Sequence, residues 1–499
     1  MVEPPDRPWL RSWPSGLPRS IEYPRRPLYW LLDRASQLYG DDAAIVFEGR
    51  ELSFRDVCDA AHRLAGGLRR LGASRVALFM ANSPHFIVCY YAALIEGGTV
   101  IPLNPALRPR EVAYHLEDSE ADVVVVDEER LRVVEEAGWR GEVAVVGPPR
   151  PGVYAVDELM AEPMEGAEVD PMDDVAVIQY TAGTTAEPKG VMLTHFNLLS
   201  NAIAIAEVCM LRRGEVQLGA LPLYHSYGMT NVMNASLYAG AKVVLMRRFE
   251  VEEALKLIER YRVNVWFGVP TMFIAALDHL RRCPHDMSSL RFCNSGGGPI
   301  AESVVEDFEG VTGALLMQGY GLTEASPVTH SNIPVRGLVK RGSVGMPIPD
   351  TDAMIVDLET GTRPLPPGEV GELIVRGPQV MKGYWRRPRE TAEAIRGGWL
   401  YTGDIAWMDE DGYFYVVDRK KDVIKCKGYS ISPRELEDVL YQHPAVKECA
   451  VVGKPDPVAG EVPKAYVVLK EGSKATPEEL IKFVEERVAI TPQPIKPSS

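Results

Sequence analysis

The sequence predicts an α/β protein: a large N-terminal domain of two α/β lobes plus a β-barrel-like unit, then a small α+β C-terminal domain. Three observations carry this. From residue 42 to residue 317, continuous apolar runs such as VALFM and DVVVVD alternate with helical patterns, as in parallel strands covered on both faces. Beyond Arg341 the runs DAMIVD, GEVGELIVRG and DGYFYVVD are short, turn-bounded and partly alternating, an antiparallel pattern. A chain of 499 residues also exceeds what one core usually organises.

The elements follow in order. Ser53 caps a helix whose apolar positions Val57, Ala60, Leu64, Leu68 and Leu71 recur at helical spacing. The run from Arg75 reads as a buried strand, followed by a helix over 84–95, the strand TVIPL, a helix from Pro109 and the strand ADVVVVD. Alternation resumes at VAVIQY (175–180), with strands at VQLGA, AKVVLM, VNVWF, LRFCN and ALLMQ. The polar, Pro- and Gly-containing stretch 147–174 divides lobes of about 1–165 and 166–340, and the β unit takes about 341–418. The charged run DRKKD (418–422) is the candidate hinge. Residues 419–499, with SPRELEDVLYQHPAVKECAVVGKPD, PKAYVVLK and EELIKFVEERV, make the small, mobile domain.

Composition excludes several classes. Hydrophobic residues at 46% and charged residues at 25% are ordinary for a globular protein. The balance of 54 basic against 69 acidic residues, −15 overall, argues against a nucleic-acid partner. Seven cysteines are scattered without CxxC spacing, which suggests neither a disulfide framework nor a zinc site and points to a reducing, cytoplasmic compartment. The start, MVEPPDRPWLRSWPSG, lacks the apolar core of a signal peptide. No window supplies the roughly 18 apolar residues of a membrane span. The segment 228–241 is short, contains Asn231 and Asn234, and reads as a buried helix. At most peripheral membrane contact is compatible with this composition, and a homodimer is left open.

The stretch YTAGTTAEPKG (180–190) directly follows the apolar run VAVIQ. Clustered backbone N–H groups and hydroxyls make an anion nest, and Lys189 adds a mobile charge. It is not a Walker A loop, because Pro188 stands where that motif has its second Gly, and Gly190 follows Lys189. On its residues alone the loop is equally a structural turn.

Together with NSGGGPI (294–300), QGYGLTEASP (318–327), YTGDIAWMDEDGYFYVVDRKKD (401–422) and IKCKGYSISPRELE (424–437), however, this loop resembles one family. That family is the adenylate-forming superfamily of acyl-CoA synthetases, luciferases and nonribosomal adenylation domains. The motifs stand in the family's order over nearly the whole chain. The segments RPWLRSWPSGLPRSIEYP, NPALRPREVAYHLEDSEA and VVGKPDPVAGEVPKAYVVLK are most similar to long-chain fatty-acid:CoA ligases.

The resemblance implies a two-step reaction using ATP, Mg2+ and CoA. A small-molecule carboxylic acid is activated as acyl-adenylate with release of pyrophosphate, then passed to the CoA thiol with release of AMP. It implies that Thr181, Thr184, Thr185 and Lys189 grip the β- and γ-phosphates. Gly296, Gly297 and Gly298 let adenine and acyl chain approach the backbone. Within Gln318, Gly319, Tyr320 and Gly321, Tyr320 stacks on adenine; Thr323 touches the α-phosphate, and Glu324 with Thr184 holds the metal. Asp404 accepts from the ribose hydroxyls and Arg419 reaches ribose or phosphate. Lys421 is the pivot, while Lys425, Lys427 and Gly428 face the thiol. His225 gates the carboxylate and, with Tyr227, Met229, Val269, Thr271, Gly297 and Val328, lines the acyl site.

Without the resemblance, Glu324 is equally a helix cap; Asp404 also reads as an Asx turn, Tyr320 as a core aromatic, although its flanking glycines suit a face left open for a ring, and a lone histidine such as His225 is more often structural.

Two departures stand out. Ala182 and Ala186 replace the family's usual Ser and Gly; Ala at a positive φ costs about 1–2 kcal/mol. The family's C-terminal Gly-Lys motif is not found before the chain stops at EERVAITPQPIKPSS. Gly453–Lys454 belongs to an earlier stretch, and Lys496 lies in a Pro-rich tail, so the small domain reads as incomplete and no adenylating lysine is named. The leading expectation is an AMP-forming fatty-acid:CoA ligase. An aryl- or coumarate-type CoA ligase, a standalone adenylation enzyme, and a nucleotide- or acyl-binding protein impaired in adenylation stay open.

Overall fold

The computed structural model describes residues 7–181, 187–420, 424–426, 429–431, 433–456 and 460–487. The expected helix at 53 forms over Phe54–Arg70. Ser53 Oγ accepts from the Asp56 N–H, and the Asp56 carboxylate accepts from the Ser53 N–H, closing a capping box. Its buried stripe is Val57, Ala61, Leu64 and Leu68. The helix Pro84–Glu96 is buried on every side over residues 86–95, with Ser83 as its N-cap and Gly97 turning the chain at φ 96°.

Two large, mostly parallel sheets form the body. One has eight strands in the order Gly383–Tyr384, Lys189–Thr194, Val175–Thr181, Thr99–Pro102, Arg75–Phe79, Val123–Asp127, Glu142–Val146 and Tyr154–Ala155. The other has nine, from Met346–Pro347 through Val328–Ser331, Leu315–Gly321, Phe292–Ser295, Val265–Gly268, Val216–Gly219 and Lys242–Leu245 to Ala43–Phe47 and Arg50–Ser53. Sheet membership therefore crosses the expected lobe division near residue 165. The N-terminal hairpin joins the second sheet, where Ile45 pairs with Val243, whereas Val175–Thr181 joins the first. Local periodicity specifies a strand but not its partner, which packing against the other layers selects.

The unit after Arg341 is an antiparallel sheet of five strands built on Asp352–Val356, Gly371–Arg376, Trp399–Met408, Ile395–Arg396 and Phe414–Arg419. The smaller C-terminal α+β domain has a four-stranded sheet, with the helices Pro433–Tyr441 and Pro477–Glu485 over a core of Ile424, Leu436, Leu440, Val446, Val451 and Leu480. The segment 228–241 is buried as expected, but as a π-helix, Gly228–Asn234, followed by the α-helix Ala235–Ala239. Wide π turns often mark functional sites. No helix among the described residues is long and apolar enough to cross a membrane.

Candidate active site

The parallel strands Val216–Gly219, Val265–Gly268, Phe292–Ser295 and Leu315–Gly321 all end at one cleft, of about 2170 Å3. Crevices outside the carboxyl ends of parallel strands are where α/β sheets bind ligands, because loops diverge there and leave backbone groups open. The cleft brings together Thr181, Lys189, His225, Tyr227, Val269, Gly296, Gly297, Gly298, Gln318, Gly319, Tyr320, Gly321, Thr323, Glu324, Val328, Asp404 and Arg419.

On the phosphate side, Thr181 pairs in register with Lys189 at the mouth of the loop. Thr184 and Thr185 lie outside the described residues, as do Ala182 and Ala186. Lys189 Nζ stands 5.4 Å above the ring of Tyr384 and has no carboxylate partner among the described residues. Tyr384 also donates to Glu324 Oε1 at 2.9 Å, and burial and then that carboxylate push its phenol pKa up. Glu324 lines the cleft, and its Oε2 makes no hydrogen bond to the described residues, which leaves one hard anionic oxygen as a donor suited to Mg2+. The Thr323 hydroxyl stands 3.4 Å from that of Ser226.

Tyr384 was not anticipated as a site residue. It arrives because Gly383–Tyr384 adds an edge strand against Lys189–Thr194, pairing Tyr384 with Val191. Nothing local in the sequence announces that pairing. Asp118 fastens the same corner: it accepts from Tyr180 Oη at 2.6 Å, its carbonyl accepts from Trp385 Nε1 at 2.8 Å, and Arg387 pairs with its carboxylate at 3.0 Å.

On the nucleoside side, Tyr320 donates its phenolic hydrogen to Asp404 Oδ2, and Arg419 Nε stands 3.5 Å from Asp404 Oδ1. Asp404 is buried and also held by turn geometry, its N–H donating to Thr402 Oγ1 at 3.1 Å. Burial, then the Asp404 charge, raise the Tyr320 pKa far above its usual value, so the phenol stays neutral. Gly321 is required sterically, since a Cβ there would sit 2.1 Å from the Pro327 carbonyl oxygen.

On the acyl side, Tyr227 packs its ring across Gly296, where a Cβ would meet it at 3.0 Å, and anchors its hydroxyl on Asn294 Oδ1 at 2.9 Å. Gly297 adopts φ 77°, the left-handed conformation glycine favours. His225 is exposed to the cleft, and desolvation by the protein around it lowers its pKa. Its Nδ1 accepts from the Tyr227 N–H at 3.2 Å, placing the neutral ring's proton on Nε2.

Two expected acyl-site residues lie elsewhere: Met229 is fully buried in the core behind the wall, and Thr271 is exposed and does not line the cleft. In each case the helical neighbour, Gly228 and Met272 respectively, lines the cleft instead. Ile205 and Asn231 also line the cavity, from helices that carry no local sign of it.

On the thiol side, Lys421, Lys427 and Gly428 lie outside the described residues, and Lys425 is described only through its backbone, paired with Ser430. The small domain nevertheless reaches the cleft with Pro433, Glu437, Val451, Val452, Gly453 and Glu461. Gly453 thus lines the cavity from a strand, Val446–Asp456, rather than from a terminal motif.

The sequence profile of the family described as AMP-binding enzyme matches residues 32–385, and that of the AMP-binding enzyme C-terminal domain matches 435–496. A long-chain-fatty-acid–CoA ligase of Bacillus subtilis (strain 168) is 39% identical over 520 residues, covering 97% of this chain and 92% of its own. A feruloyl-CoA synthase of an Amycolatopsis species is 37% identical, covering 91% of each chain. Among solved structures, ATP-bound MatB from Rhodopseudomonas palustris superposes with a TM-score of 0.85 at 30% identity, covering 94% of each chain. A profile spanning most of the chain, a shared fold and a cleft with the motif residues assembled lead to one conclusion: this chain belongs to the AMP-binding enzyme family of adenylate-forming acyl-CoA ligases.

Proposed function

We propose that the chain activates a fatty acid in two steps, using ATP and CoA in the cytoplasm. The observation that carries this reading is the convergence, in one cleft, of Lys189, Glu324, Tyr320, Asp404 and Arg419 beside the glycine bed 296–298.

In the first step a carboxylate oxygen attacks the α-phosphorus of ATP, the bond to the bridging oxygen breaks, and pyrophosphate leaves. Lys189 and Thr181 hold the leaving phosphates, and Thr323 donates to the α-phosphate. Tyr320 offers its ring to adenine, while Asp404 accepts from ribose hydroxyls and Arg419 balances the charge. The His225 Nε2–H orients the carboxylate. Glu324 Oε2, with Thr184, would hold Mg2+, which supplies charge neutralisation to the phosphates. In the second step the CoA thiolate attacks the acyl carbonyl and AMP leaves, with Lys425, Lys427 and Gly428 on the thiol side. Lys421 serves as pivot between a large unit, 1–418, and a small one, 419–499. Positioning and charge stabilisation supply the rate, since carboxylate and phosphate are both anionic and repel until bound.

A second substrate reading, an aryl acid, is favoured by one observation: the Tyr227 ring lies over Gly296 in the wall of the cleft, a flat aromatic face beside the proposed acyl site. The test is AMP and pyrophosphate release with Mg·ATP, CoA and a panel of acids running from short to long alkyl and from benzoate to hydroxycinnamates. Highest kcat/KM with alkyl acids supports the first reading, and with aryl acids the second. Absence of product with every acid overturns both and leaves a nucleotide- or acyl-binding protein.

A further inference from the structure

Away from the cleft, the helix Pro270–Leu280 ends in the loop RRCPHDMSS, and its last turn meets the helix Val251–Tyr261. There one ring nitrogen of His279, one of His285 and the Cys283 sulfur all lie within 4.8 Å of one another. The two imidazole rings are 5.7 Å apart at a tilt of 35°. Nε2 of His279 and Nε2 of His285 are both buried without any hydrogen-bond partner, and the His285 side chain is only 9% exposed. Two orphaned imidazole nitrogens on neighbouring rings are costly unless a partner satisfies them.

The surroundings specify what that is. His285 Nδ1 is 3.2 Å from Glu259 Oε2, a carboxylate that fixes the proton on Nδ1 and leaves Nε2 as a bare lone pair. Glu259 also accepts from the Asp286 N–H at 3.2 Å, so it is itself oriented, and the His285 contact helps lower its pKa. A carboxylate behind an imidazole is the usual outer support of a metal-ligating histidine. Nearby cations already have partners: Arg262 pairs with Asp286 at 2.5 Å and Arg281 with Asp307 at 2.6 Å. The comparable trio Asp33, Cys58 and His62 differs, because its groups satisfy one another. There His62 Nε2 meets Asp33 at 2.8 Å, and His62 Nδ1 meets the Met164 carbonyl at 2.6 Å.

We propose that His279, Cys283 and His285 form a three-ligand site for a borderline-soft divalent transition metal, Zn2+ first, with Glu259 as the outer-shell support and the fourth position open to water. Two nitrogens and a thiolate suit zinc and disfavour Mg2+ or Ca2+, which take oxygen ligands. Ligands about 2.0–2.3 Å from a tetrahedral ion stand roughly 3.5 Å apart, within reach of groups that already lie no more than 4.8 Å from one another. Cys283 is exposed, so the metal has an entry path and the thiol ionises on binding. The bound ion would tie the loop back to the last turn of its own helix, while Glu259 holds His285 to the helix beside it.

The test uses the full-length protein stripped with a chelator and titrated with Co2+, then with Zn2+ in competition. The expected result is one Co2+ per chain with a thiolate-to-cobalt charge-transfer band, lost in Cys283→Ser and displaced by Zn2+. Glu259→Gln keeps the band but weakens binding by about 10- to 100-fold. Cys283 is exposed, so its replacement leaves folding and the ATP-dependent reaction intact, and circular dichroism checks this. Absence of the band, or a band that survives Cys283→Ser, overturns the site.

Discussion

Tyr384 and Glu324 meet across 2.9 Å although 60 residues separate them, and the same tyrosine ring lies 5.4 Å beneath the Lys189 ammonium. One edge-strand residue thus orients the carboxylate proposed to hold the cation and the lysine proposed to hold the phosphates. Glu324→Gln should lower pyrophosphate release at saturating ATP by about 100-fold or more, the scale of removing a group that answers transition-state charge. Tyr384→Phe should cost about 10-fold, since a hydrogen bond to a carboxylate contributes roughly 1.5 kcal/mol. Equal rates for both variants and the parent would remove this corner from the reaction.

The pair Tyr320 and Asp404 predicts a different kinetic signature. Asp404→Asn should raise the KM for ATP by about 10-fold or more, because it removes a buried charge facing both Tyr320 and Arg419. Tyr320→Phe keeps the stacking ring and should change it by less than about 5-fold. The KM for the acid should move in neither variant. Initial-rate kinetics with each substrate varied in turn provide the measurement.

Gly296 and Tyr227 should control acid size together. Gly296→Ala places a methyl 3.0 Å from the Tyr227 ring, which must then give way and change the shape of the cleft wall. Its kcat/KM for bulky acids should fall by about 10- to 100-fold, equivalent to one misplaced methyl or so in a pocket. Tyr227→Ala should restore or extend the accepted range in the double variant. If the two substitutions act additively, the packing contact does not set size.

Two histidines give opposite pH dependence. Asp33 and Cys58 raise the His62 pKa to about 10, so the charged ring's contribution to stability is complete below its unfolded value, about 6.5, and is lost as pH rises toward 10. Burial lowers His195 to about 4, and its Nδ1 accepts from the Leu28 N–H at 3.0 Å. Its contribution is present above about pH 6.5 and is lost as pH falls through 4. Urea midpoints should therefore fall less from pH 7 to 10 in His62→Gln than in the parent. They should also fall less from pH 6.5 to 4 in His195→Gln, whose amide does not charge.

Most strands and helices were legible because apolar runs and capped periodic stretches state their own geometry. The box at Ser53, the run VVVV at 123–126 and the largely apolar helix Pro84–Glu96 are local facts. Partners were not local. The hairpin at 43–53 joins a sheet whose nearest strand begins at Lys242, and the edge strand Gly383–Tyr384 returns to Lys189–Thr194. Among acyl-side residues, the expectation for Met229 and Thr271 missed because the side-chain direction on a helix turns by 100° per residue, and a motif fixes only the neighbourhood.

By itself, then, the sequence determined the α/β class, the order of elements and the family, since those rest on local periodicity and on motifs that survive as strings. Only the tertiary structure decided that Tyr384 supports Glu324, that Tyr227 covers Gly296, and that His279, Cys283 and His285 converge beside Glu259. These are contacts between chain segments whose spacing carries no signal, and they exist because sheets and helices must bury their apolar faces against one another, bringing distant polar groups together at the edges.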